Sequence, residues 1–156
     1  MKIGVIRNRR SHANIGWQAA PPPDLAWAEP DTPEALITEM RRFADEGVEL
    51  VVVDGGDGTV REVLSALPQA YGGQTPVLAV LASGKTNVLA QDLGAKAGWD
   101  LPAVRRRAAE TAPALKVRTP LEVSWGDPRQ PPVRGFIFGL GAFTRGTRMS
   151  HSVHRL

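Results

Sequence analysis

Apolar residues along this chain take two forms: short unbroken blocks, and longer stretches where they return every three or four positions. The blocks are "KIGVI" at 2–6, "VELVVVD" at 48–54 and "PVLAVLA" at 76–82. Rich in β-branched residues and nearly free of polar interruptions, they predict strands, the later two buried on both faces as in a parallel sheet. Helical patterns lie between them. Thr32, Pro33 and Glu34 read as N-cap, first helical position and acidic first turn. Ala35, Leu36, Met40, Phe43 and Ala44 then mark the apolar face of a helix ended by Gly47. Val60, Val63, Leu64 and Leu67 mark a second helix, which Pro68 is expected to stop. A short helix should follow the turn after residue 82, and another should begin at Asp100 with Pro102 in its first turn.

The proline-rich stretch at 19–33 reads as an exposed connection with a short strand around Leu25 to Ala28. Strand and helix alternate, which predicts an α/β fold: an open, mostly parallel sheet with flanking helices, binding ligands at the carboxyl ends of its strands. From about Leu115 the texture changes. "LKVRTPLEVSW", "GDPRQPP" and "VRGFIFGLG" read as strand, turn and strand, the start of an antiparallel β region. The expected division is therefore residues 1–113 and residues 114–156, the second unit incomplete.

With 42% hydrophobic and 22% charged residues in 156, the chain has an ordinary globular balance. The absence of cysteine excludes disulfides, thiol nucleophiles and thiolate metal sites, and His12, His151 and His154 lack metal-binding spacing. Net charge is +3, carried mainly by arginines such as Arg7, Arg9 and Arg10, which suit a phosphate-bearing partner. Arg105, Arg106 and Arg107 read as a solvated helix face, and the four tryptophans look too scattered to form a stacking platform. No nucleic-acid partner is expected. The N-terminal apolar block is too short for a signal peptide and no stretch reaches membrane-spanning length, so a cytoplasmic location is expected, with membrane contact only at the surface.

The chemistry concentrates at "DGGDGT", residues 54–59. A strand that stops here leaves the first amides of the next helix unpaired and favourable to an anion. Gly55, Gly56 and Gly58 remove side chains that would keep a phosphate from the backbone and tolerate positive φ, and Thr59 offers a hydroxyl. Asp57 would repel a bare phosphate. It makes sense beside a divalent cation, or as the group that takes a proton from an attacking hydroxyl, and both belong to phosphoryl transfer. Neither the P-loop nor the dinucleotide glycine pattern is present.

"GGDGTVREVLSAL" followed by "LASGKTNVLAQDLG" resembles the catalytic domain of the diacylglycerol kinase family, which includes bacterial lipid kinases and sphingosine kinases. Asn8-Arg9-Arg10-Ser11-His12 resembles that family's first motif, Asn-Pro-x-Ser-Gly, with the proline and glycine replaced. The resemblance implies an ATP-dependent kinase using Mg²⁺ and transferring the γ-phosphate to the hydroxyl of a diacylglycerol-like or sphingoid lipid, at a peripheral position on the inner membrane surface. It places Asn8 and Ser11 against the nucleotide, Gly56 to Thr59 and Glu62 on its phosphate side, and Gly84, Lys85, Thr86 and Asn87 in a second loop. Asp57 would position metal and phosphates and act as the base. In the second loop Lys85 stands where a threonine is usual and Val88 where a carboxylate is usual. The more distant NAD kinases share the GGDGT turn and supply an alternative, as does a non-catalytic nucleotide-binding fragment, since the chain ends where the family's second domain has barely begun.

Overall fold

The computed structural model describes residues 1–127 and 129–137 of the 156. Its main layer is a four-stranded parallel sheet of β1 (Ile3–Arg7), β2 (Ala26–Ala28), β3 (Leu50–Gly55) and β4 (Val77–Ala82), in the order β2-β1-β3-β4. The helices are α1 (Pro33–Asp45), α2 (Asp57–Tyr71), α3 (Val88–Asp92) and α4 (Leu101–Ala108). One 3-10 turn, His12–Asn14, lies between β1 and β2.

β3 is buried along its whole length, and its alternation shows why its sequence is a continuous apolar run. Val51 and Val53 join Leu36, Met40 and Phe43 of α1 and Val60, Val63 and Leu67 of α2 in one cluster. Leu50 and Val52 face the other way, with Val5, Leu81 and Val104 of α4. Each such side chain, fully buried, contributes roughly 1.5–3 kcal/mol. Gly4 lets the Phe43 ring lie on β1: a Cβ there would stand 2.7 Å from the ring carbons.

The expected start of α1 holds: Thr32 Oγ1 accepts from the Ala35 amide at 3.1 Å with Pro33 in the first turn, and Gly47 follows the end at a φ of +72°. Asp100 caps α4 in the same way, accepting from the Ala103 amide at 2.9 Å. α2 does not stop at Pro68. It continues to Tyr71, because that last turn is held from outside: Ala70 and Tyr71 pack on the core, Arg41 Nε donates to the Gln69 carbonyl at 3.2 Å, and the Tyr71 hydroxyl donates to the Val48 carbonyl at 3.4 Å. Burial of Tyr71 pushes its phenol up to about 12.

Strand structure in the later segment is shorter than expected. β5 (Leu121–Val123) and β6 (Val133–Gly135) form a small antiparallel pair, while residues 115–120 make no strand and 138–141 lie outside the described residues. The pair rests on α2, where the Arg134 amide donates to Ser65 Oγ at 2.9 Å and Phe136 joins the main cluster. Among the described residues no helix is long and apolar enough to cross a membrane.

Candidate functional site

β1 and β3 end side by side, with Arg7 opposite Asp54 in the parallel register. The chain leaving β1 turns back over the chain leaving β3. The Asn8 amide donates to the Asp54 carbonyl at 3.0 Å, its side-chain Nδ2 donates to Thr59 Oγ1 at 2.9 Å, and its Oδ1 accepts from the Arg10 amide at 2.9 Å. The Asn8 side chain thus both shapes the turn and ties it to the start of α2. A cleft of about 700 Å³ opens beside it, lined by Asn8, Ser11, Gly56, Gly58, Thr59 and Glu62 among others. Six of the residues singled out from the sequence thus meet in one place.

α2 begins in this cleft. Its N-cap is Gly56, which has no side chain to occupy the first amides, so the helix presents them unpaired. None of the glycines 55, 56, 58 and 84 has a positive φ, so the tolerance that glycine offers is not used here. Gly55, Gly56 and Gly84 serve close approach instead. A Cβ on Gly84 would stand 2.6 Å from Gly56 Cα, and one on Gly55 would stand 2.5 Å from Thr59 Cβ. Gly58 alone of the four has open space where a Cβ would be.

The left-handed residue is Asn87, at a φ of +55°. Its side chain closes the second loop on itself, with Oδ1 accepting from the Gly84 amide at 2.8 Å and Nδ2 donating to the Gly84 carbonyl at 2.8 Å and the Ala82 carbonyl at 3.2 Å. Asp57 points toward this loop rather than into the cleft. Its Oδ2 accepts from the Val88 amide at 3.0 Å and its Oδ1 from the Leu89 amide at 3.1 Å, so it binds the start of α3 to the start of α2. Lys85 and Thr86 are exposed on the second loop and do not line the cleft. His12 is exposed too, and Glu62 pairs with Arg61 at the cleft rim.

Sequence reasoning missed what lies underneath. Arg7, grouped above with the phosphate-facing arginines, is buried, and its Nε lies 3.3 Å from Asp54 Oδ2. Asn14 and Ser83 complete the cluster. Trp17 and Trp27, expected to be apart, stack with ring centroids 6.0 Å apart, and the Arg7 guanidinium lies 3.5 Å from the Trp17 centroid. The available signal was a charge at the end of each of two apolar strands, which becomes a pair only once the strands are known to be neighbours. Among the described residues no three His, Cys, Asp or Glu side chains group as a metal site.

The diacylglycerol kinase catalytic domain family model matches residues 23–117, more than half of the chain. The chain belongs to that family. Within this diacylglycerol kinase family, it is similar to the probable lipid kinase YegS-like of Citrobacter koseri, 37% identical over 83 residues, covering 51% of this chain and 27% of that protein. It is also similar to the probable lipid kinase YegS of Escherichia coli, 37% identical over 70 residues, covering 45% of this chain and 22% of the other. The chain thus spans about a quarter of the length of these curated relatives. A crystal structure of a diacylglycerol kinase from Bacillus anthracis aligns at 28% identity and a TM-score of 0.48, covering 61% of this chain and 37% of the other. The matched segment includes both glycine turns, while Asn8 and Ser11 precede it.

Proposed function

We propose that this diacylglycerol kinase family chain carries the ATP-binding part of a lipid kinase, with residues 1–113 as the nucleotide-binding unit and residues from 114 as the beginning of a second, β-rich unit. The observation that carries the reading is the uncapped start of α2, where Gly56, Gly58 and Thr59 open onto the cleft beside Asn8 and Ser11. Unpaired amides and the positive end of a 15-residue helix suit the ATP phosphates there. Asn8 and Ser11 would border the nucleotide, and Thr59 and Glu62 its phosphate side.

Asp57 could give one ligand to Mg²⁺ brought in by the nucleotide, since Asp54 is engaged by Arg7, Asn14 and Ser83 while each Asp57 oxygen keeps a lone-pair direction beyond its amide bond. Bound there, Mg²⁺ would neutralise charge on the phosphates. Asp57, which faces the second loop and not the cleft, would receive the acceptor's proton between the two glycine loops, with the γ-phosphate reaching there from the cleft, as the acceptor oxygen bonds to the γ-phosphorus and the bond to the β-phosphate oxygen breaks, releasing ADP. Gly84, Lys85, Thr86 and Asn87 would form the facing loop, with exposed Lys85 offering charge to a phosphate. The acceptor class is a lipid hydroxyl, of diacylglycerol or a sphingoid base, met at the cytoplasmic membrane surface.

Calorimetric titration of the chain with ATP tests this, with and without Mg²⁺. Metal-dependent binding that Asp57→Ala weakens supports the reading, and no binding at millimolar ATP sinks it. Labelled-phosphate transfer assays with diacylglycerol, sphingosine and NAD then separate the lipid kinase, the NAD kinase alternative and a nucleotide-binding module without transfer.

A further inference from the structure

Beside the cleft, four polar residues are each no more than 7% exposed: Arg7, Asn14, Asp54 and Ser83. They come from three different strand ends. Arg7 ends β1, Asp54 is the penultimate residue of β3, Ser83 follows β4, and Asn14 belongs to the loop after β1. Asp54 is the hub. Its Oδ2 faces Arg7 Nε, and its Oδ1 accepts both from Asn14 Nδ2 at 3.1 Å and from Ser83 Oγ. Arg7 Nη2 donates to Asn14 Oδ1 at 2.9 Å, closing the ring, and the Ala13 amide donates to the Ser83 carbonyl at 3.0 Å. Trp17 covers the guanidinium from the solvent side. Every buried side-chain nitrogen and oxygen among the described residues has a partner.

Buried ion pairs of this kind give little net stability compared with apolar packing, but they fix geometry, since losing one partner strands the other charge. The geometry fixed here is specific. The loop after β1 supplies Asn8 and Ser11 to the cleft, and the loop after β4 supplies the amides that Asp57 grips. We propose that Asp54, with Arg7 and Ser83, is a positioning residue that locks the β1 loop and the second glycine loop to each other, so that the two walls around the start of α2 order as one unit. None of the three needs to touch nucleotide. The consequence for binding rests on the ATP reading above, whereas the coupling of the loops does not.

The test is amide hydrogen exchange on the 156-residue chain, first without nucleotide. Ser83→Ala removes one hydroxyl and leaves the Arg7–Asp54 pair, so the fold should survive. Exchange in residues 8–17 and 83–89 should then rise together, by about tenfold or more, while α1 and the body of α2 stay unchanged. Asp54→Asn should produce the same paired pattern with a larger factor. Acceleration in only one loop, spread evenly over the molecule, or absent in both variants would overturn the proposal. With ATP and Mg²⁺ added to the native chain, protection should extend from the cleft residues to 83–89, and in Ser83→Ala it should stay on the cleft side, a split that loss of stability alone would not produce. Native chain that fails to bind ATP would count against the nucleotide site only, since the paired exchange without nucleotide is read independently.

Discussion

The two glycine turns follow neighbouring parallel strands and each leads into a helix, yet they use their polar groups in opposite ways. After β3, the turn feeds a 15-residue helix whose N-cap is a glycine, and its first amides face an open cleft. After β4, the turn feeds a five-residue helix, and its polar groups are consumed internally, by the Asn87 side chain and by the Asp57 carboxylate. One turn leaves its amides unpaired; the other satisfies its own and braces the first. A glycine pattern therefore marks close backbone approach, and the fate of the helix amides decides whether a ligand is wanted there.

The contrast can be broken from below. Asp54→Ala should cost about 3–5 kcal/mol in urea unfolding, because it leaves the buried Arg7 charge unpaired beneath both turns. Gly84→Ala comes next, at about 1–3 kcal/mol, since its methyl would sit 2.6 Å from the Gly56 backbone and force the turns apart. Asn87→Ala should cost about 1–2 kcal/mol by losing the loop's internal bonds at a left-handed φ. Asn87→Gly should recover the backbone part of that loss and none of the hydrogen bonding. Smallest in stability is Gly58→Ala, where open space and helix propensity predict a gain of about 0.5–1 kcal/mol. That variant sharpens the comparison, because the same methyl enters the cleft and should weaken ATP binding several-fold while the melting temperature stays level or rises. A fall in both would mean that the first turn is as structural as the second.

Fold class was readable because burial dictates it: a run such as Val51-Val52-Val53 can only be satisfied between two layers. Caps were equally local, and Thr32 and Asp100 act as their side chains dictate. Pro68 misled because a proline costs a helix one hydrogen bond and some crowding, and contacts from Arg41 and Val48, distant in sequence, outweigh that. Gly56, Gly58 and Thr59 could be named in advance since glycine, aspartate and threonine in that order have few uses, whereas Asn8, Ser11 and Glu62 came from the family resemblance. Which way Asp57 faces could not, because its partners are backbone amides of α3, 31 and 32 residues away and invisible as residue types. The Arg7–Asp54 pair stayed hidden for a related reason: it depends on strand register.

The sheet order carries a last consequence. β1 hands the chain to β2 on one side and β3 hands it to β4 on the other, so the two outgoing connections diverge like the tines of a fork. The gap between the tines exists before any side chain is chosen. Loop residues such as Arg9 can therefore be exchanged without closing the gap; what changes is only the chemistry of its lining.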